Sequence, residues 1–207
     1  SKAHAATWAD KLRHGYGYAG TASSPPSCTT HLCVADEAGN AVSVTHTLGT
    51  GAGVVTPGLG FVHNNAMKLF DPVPGNANSI APGKARTTGM CPTIVSKDDK
   101  PFLVVGAPGG SVIISAVLQT ILHIIDFGMS PVEAVTVPRV HCEGGAVHVE
   151  ARVPATVCRE LEALGHLVDQ SPSSFDPVMS RAQVIQVGNG TWKGGSDPRG
   201  GGGIAWV

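Results

Sequence analysis

An α+β layered fold is predicted for this chain from the order of its periodic segments. Two hairpin-like runs come early, over residues 30–48 and 91–106. Helical stretches follow, and short strand-like runs close the chain. Hairpins, then helices, then strands is the order of an α+β arrangement. Regular strand–helix–strand alternation is lacking, which argues against a doubly wound nucleotide-binding fold.

Residues 1–14, SKAHAATWADKLRH, suit a short helix with Ala3, Ala6, Trp8 and Leu12 available for packing. Tyr16 to Cys28 is rich in Gly, Ser and Pro and reads as a loop. Thr30 to Asp36 reads as a strand, DEAGN as a tight turn and Ala41 to Leu48 as the return strand. Alternation puts Val42, Val44 and His46 on one side and Ser43, Thr45 and Thr47 on the other. A hydroxyl-bearing side suits an active site as readily as solvent. The stretch from Gly49 to Gly89 is irregular. Cys91–Ser96 and Phe102–Gly106 form a second predicted hairpin around KDDK. Val112 to Phe127 is apolar, of helical length and bounded by glycines, so a buried helix on a sheet is expected. Another helix starts near Ser130, with Pro131 suited to its first position. A short strand at 147–149, a helix over 154–164 ending at Gly165, a strand at Val168 and a last hairpin across Asn189-Gly190 complete the reading.

The 207 residues allow one good core. Charged residues make up only 14 %, where about a quarter is usual. Much of the surface is therefore expected to be covered by a partner, unless this is simply a glycine-rich sheet protein. The formal net charge of −1, with no basic stripe, excludes a nucleic-acid partner. The apolar run at 112–127 is too short and too interrupted for a membrane span. GAPGGS lacks the spacing of a dinucleotide loop and the lysine of a phosphate loop. Five cysteines without a CxxC pair favour a reducing, cytoplasmic compartment, with the periplasm and the exterior left open. The histidines have no metal-ligand spacing, so no metal or cofactor is expected.

One pair of residues raises chemistry. A threonine hydroxyl is a poor nucleophile until something takes its proton. If the chain is cut just before a threonine, its own amine, with a pKa of about 8, becomes that base. Thr29, at the strand start and after the breaker-rich loop, could be such a residue. Two adjacent threonines at a strand start are also simply good strand formers.

The motifs TTHLCVADEAGNAVSVTHTL, NNAM, GMCPTIV, VGAPGGS, PRVH and SDPR together resemble the small subunit of the gamma-glutamyltranspeptidases, which are N-terminal nucleophile hydrolases. The resemblance covers nearly all of residues 29–199. It implies a four-layer αββα sandwich completed by a large subunit cut from the same precursor. Residues 1–28 would be the large-subunit tail or precursor linker, and 29–207 the small-subunit catalytic region. By resemblance the cleavage site lies between Cys28 and Thr29. Thr29 is then the nucleophile and Thr47 the hydroxyl that helps activate it. Gly109 and Gly110 supply the N–H groups of the oxyanion hole. Thr30 is read as a strand anchor and His31 as a packed histidine. Arg139, His141, Asp197 and Arg199 are expected in ion pairs or core hydrogen bonds. Ser1, a rival terminal nucleophile, precedes a helical sequence where a strand is needed.

The recognition shell departs from the family. Its asparagine after the TL pair is Gly49 here, its glutamine or glutamate after NN is Ala66, and its ammonium-binding aspartate is Leu69. Asp71 is nearby but out of register. The serine pair that holds the substrate carboxylate is Thr88 and Gly89. A buried ammonium needs a charged or polar partner, which Leu69 cannot be. The expectation is an amidohydrolase or acylase acting on a small amide or peptide-like substrate with a non-standard acyl group. Lys68 or Arg86 would be placed to greet a carboxylate. The alternatives are a true gamma-glutamyl hydrolase or transpeptidase and an unprocessed, non-catalytic subunit. Whether one heterodimer or a pair of them assembles is left open.

Overall fold

The computed structural model describes residues 2–13, 28–188 and 190–207. The predicted loop over 16–27 and the rival Ser1 lie outside these. Helix α1 spans Lys2–Arg13 as expected, but Ala3 and Ala6 are exposed rather than packed.

Strands β1 (Thr29–Ala35) and β2 (Ala41–Thr47) pair antiparallel, in register from Thr29 opposite Thr47 to Ala35 opposite Ala41. The turn between them clasps itself: the Asp36 carboxylate accepts from the backbone N–H and the side-chain amide of Asn40, both at 2.8 Å. Strands β3 (Thr93–Lys97) and β4 (Lys100–Gly106) form the second hairpin. Its two turn residues, Asp98 and Asp99, have φ of 52° and 58°. Two left-handed residues in succession match the right-handed twist of the flanking strands.

Helix α2 (Ile113–Ile125) and helix α3 (Pro131–Thr136) follow. Ser130 caps α3 with a reciprocal bond to Glu133, and Pro131 occupies the first helical position. The sequence reading missed strand β5 (Val140–His141), which pairs with β6 (Val147–Val149). Helix α4 (Ala155–Ala163) then leads to β7 (Val168–Gln170), which runs parallel to β6. One strand–helix–strand crossover therefore exists, built from the three elements read at 147–149, 154–164 and Val168; what the reading did not give is the parallel pairing of its strands. Strands β8 (Gln183–Val187) and β9 (Trp192–Ser196) form the closing hairpin.

The main sheet has the order β3-β4-β8-β9. Its central strand β4 is buried on both faces, as its unbroken apolar run requires. On one face, Leu103, Val105 and Val184 pack against Ile113, Val117, Ile124, Ala134 and Val135 of the helices. On the other lies the β1–β2 hairpin, whose Ser43 hydroxyl donates to Val105 O at 3.0 Å. The chain thus builds helix, sheet and sheet in three successive layers.

Two expectations change. The hydroxyl side of β2 faces the main sheet, while Val42 and Val44 point outward, each 45 % exposed. Helix α2 is buried along one face only: Ile114 and Leu118 are each 53 % exposed. Both apolar faces are left exposed by the described residues.

A buried ionic cluster ties the chain end to the core. Arg139 pairs with Asp197 at 2.6 Å, and Arg199 pairs with Glu150 and, at 3.0 Å, with Asp197. Arg199 also donates to Val135 O and Val137 O, both at 2.8 Å. Burial would raise the Glu150 carboxyl, but bonds from Arg199 and from the N–H groups of Asp176 and Arg139 outweigh it and hold the pKa below the usual range. The structural role expected for PRVH and SDPR is the one seen. His141 likewise joins a core network, with Nδ1 2.8 Å from Ser115 Oγ and Nε2 3.0 Å from Glu143 Oε1.

Candidate active site

Thr29 and Thr47 are the last facing pair of the β1–β2 hairpin, and their hydroxyl oxygens lie 2.8 Å apart. Gly49 N–H donates to Thr47 Oγ1 at 2.9 Å. That bond occupies one Thr47 lone pair and leaves its proton able to point at the Thr29 oxygen. One residue further out, Cys28 N–H donates to Gly49 O at 3.1 Å. The Cys28–Thr29 peptide bond is therefore held on both sides by hairpin pairing.

His31 follows two residues along the same inward side. Its Nδ1 lies 2.8 Å from Thr45 Oγ1, and Nε2 lies 3.2 Å from Cys33 Sγ. The ring sits directly over Gly106, where any Cβ would run into it. Burial lowers the His31 pKa to about 4 and pushes the Cys33 thiol up to about 12. Both groups are neutral at ordinary pH and pack between the two sheets. This geometry makes His31 a filler with satisfied nitrogens.

Gly109 and Gly110 lie where β4 turns into α2, with φ of 147° and 75°. Only glycine adopts such a pair at little cost. Neither N–H donates in any turn, loop or cap among the described residues. Pro108, just before the pair, lines a cleft of about 770 Å³ along β1. Thr29 lines the same cleft, together with Arg181 and the C-terminal residues.

The substituted recognition positions fall in two places. Gly49, with φ of 69°, packs on the Asn65–Ala66 peptide, and Asn65 N–H donates to Leu48 O at 2.8 Å. Ala66 and Leu69 bound one short 3₁₀ turn beside it, with Leu69 47 % exposed. This group is contiguous with Thr47. Thr88 and Gly89 lie elsewhere, against the glycine turn: a Cβ on Gly89 would stand 2.6 Å from Gly110 O. The Thr88 hydroxyl accepts from Met90 N–H at 3.1 Å. Asp71 accepts from Val73 N–H and, at 2.7 Å, from the Asn76 amide. These bonds lower its pKa and commit it to its own loop. Arg86 donates to Thr87 O at 3.0 Å.

No signal in the sequence marked Ser180, which is fully buried and has φ of 68°. Its hydroxyl donates to Pro108 O at 2.6 Å, so it touches the glycine turn directly. A left-handed serine cannot be read from residue type.

A hydroxyl pair at the head of a strand, stacked sheets and a glycine turn beside the same cleft are features of the αββα sandwich of N-terminal nucleophile hydrolases. The gamma-glutamyltranspeptidase family model matches residues 2–207, and the chain belongs to that family. It is 44 % identical over 172 residues to the glutathione hydrolase proenzyme of Bacillus subtilis (strain 168), covering 82 % of this chain and 29 % of that protein. It is 45 % identical over 156 residues to the acylase ACY 1 proenzyme of Pseudomonas sp. (strain V22), covering 74 % and 28 %. The chain thus spans less than a third of the length of these curated relatives. The crystal structure of the T380A mutant of Helicobacter pylori gamma-glutamyltranspeptidase superposes with a TM-score of 0.75 at 39 % identity, covering 83 % of this chain and 100 % of that one.

Proposed function

We propose that this chain carries the catalytic half of an N-terminal threonine amidohydrolase whose acyl pocket differs from that of the gamma-glutamyl enzymes. The observation that carries the reading is the 2.8 Å contact between the Thr29 and Thr47 hydroxyls at the head of the hairpin. In the uncut chain the Thr29 nitrogen is an amide and has no basic lone pair. Self-cleavage begins when Thr29 Oγ1 attacks the Cys28 carbonyl carbon and the C–N bond breaks, with the proton passing to nitrogen. That step frees the Thr29 amine; water then cleaves the ester, releasing the Cys28 carboxylate and restoring the Thr29 hydroxyl.

The mature residue repeats this chemistry on substrate. Its oxygen attacks the amide carbonyl, and its amine takes the proton and passes it to the leaving amine. Gly109 and Gly110 N–H groups receive the developing oxyanion, where one donor is worth about 10²–10³ in rate. Water or a second amine resolves the threonyl ester. A large subunit from the same precursor covers the outward faces of β1–β2 and α2. Three facts support an altered acyl group: Leu69 cannot hold an ammonium, Asp71 is engaged by its own loop, and Gly89 has no room for a serine side chain.

The test uses the full precursor. Intact mass and N-terminal sequencing should show a chain starting at Thr29. A panel of 4-nitroanilides (butyryl, glutaryl and γ-glutamyl) should show faster release from a non-glutamyl acyl group. Thr29→Ala should leave the chain whole and lower turnover by at least about 10³-fold. An active enzyme with an unbroken Cys28–Thr29 bond would overturn the mechanism. Fastest turnover of the γ-glutamyl anilide would overturn the specificity.

A further inference from the structure

We infer that Ser180 is a positioning residue that aims the oxyanion-binding N–H of Gly109, an inference that rests on the assignment of Gly109 and Gly110 above. It starts from a backbone outlier. Ser180 has φ of 68° and ψ of 176°, a region that glycine alone occupies without strain. The residue is fully buried, so solvent does not relieve it.

Its surroundings hold it there. Arg139 Nη1 donates to Ser180 O and to Met179 O, both at 3.2 Å. Arg139 is itself fixed by Asp197 at 2.6 Å, and Asp197 accepts from Ala182 N–H at 2.8 Å. The ionic cluster thus grips both sides of the strained residue.

The strain presents one group. Ser180 Oγ donates to Pro108 O at 2.6 Å, and Arg181 N–H donates to the same oxygen at 3.3 Å. Pro108 C=O and Gly109 N–H are opposite ends of one planar trans peptide. Two donors on the carbonyl therefore fix the direction of the N–H. They also polarise the peptide, which strengthens that N–H as a donor. The Ser180 side chain packs on Gly109 as well: a Cβ there would lie 2.8 Å from Ser180 Cβ and Oγ. The glycine turn can neither rotate its first peptide nor move toward Ser180.

The experiment compares Ser180→Gly and Ser180→Ala in the full processed enzyme, using the 4-nitroanilide that the wild type cleaves fastest. Glycine relieves the strain and removes the hydroxyl, while alanine keeps the strain and removes the hydroxyl. Ser180→Gly should melt at or above the wild-type temperature, yet lose about 10-fold or more in kcat with KM within about twofold, as for an interaction made only in the transition state. A rapid-quench mass measurement should show slower acylation of Thr29. A Ser180→Gly enzyme with wild-type kcat, or with its loss confined to KM, overturns the positioning role. So does an Ala variant that loses activity only in step with its melting temperature while the Gly variant retains it. The parent reading fails separately: it falls if the wild type never forms an acyl adduct on Thr29.

Discussion

The two ends of this site are built in different ways. Behind Thr29, Thr47 and the glycine turn lie paired strands, a packed sheet interface and a buried ionic cluster. The stretch from Gly49 to Gly89 has one short 3₁₀ turn, and exposed side chains bonding their own backbone hold it together. Leu69, Val73 and Ile80 are all about half exposed there. The difference teaches where change is tolerated. A residue whose neighbours are packed cannot alter without shifting Thr29, whereas a loop residue that touches little can. Under the proposed reading, the chemistry-bearing positions sit on the packed side, and Gly49, Ala66 and Leu69 sit on the loop side.

The sharpest way to break that contrast is to strip a charge from the rigid side. Arg199→Met leaves the buried carboxylates of Glu150 and Asp197 short of a partner, which costs about 3–5 kcal/mol. Equilibrium unfolding of the assembled enzyme should show that loss. A change below about 1 kcal/mol, the scale of an exposed pair, would mean that the cluster does not brace the site.

On the loop side, Gly49→Asn with Ala66→Gln and Leu69→Asp installs the three residues that the family resemblance expects there. Asparagine tolerates the left-handed φ of 69°. Melting should shift little, since surface changes stay within about 0.5 kcal/mol each. Discrimination in favour of the γ-glutamyl anilide over butyryl should rise about 10-fold. Unchanged selectivity in a well-folded variant would remove this loop from the recognition shell.

A further effect is a pH dependence on the packed side. Burial depresses His31 from 6.5 to about 4. Above pH 6.5 both folded and unfolded chains keep the ring neutral, and the stabilisation is complete. As pH falls from 6.5 towards 4, the unfolded chain binds a proton that the folded one refuses, and stability declines. His31→Asn should flatten that segment of a stability-versus-pH curve. An unaltered slope would show that the ring is not held neutral between the sheets.

The hairpins and helices were legible because each rests on local chemistry: DEAGN and KDDK as turns, Ser130-Pro131 as a helix start, Gly165 as a stop. Strand β5 was not read, since its two residues do not establish a period. The face of β2 was ambiguous for another reason. In an isolated chain valines point in, but Ser43 and Thr45 instead bond to Val105 O and His31 inside a stacked pair of sheets.

By itself, then, the sequence determined the order of elements and the family motifs, because periodicity, turn residues and residue identity are local. Only the tertiary structure decided the 2.8 Å approach of Thr29 to Thr47, that Gly89 abuts the Gly110 turn and that a strained Ser180 grips Pro108. Those contacts join residues 18 to 72 positions apart. They exist because close packing of sheets and a buried ion network leave each group one place to be.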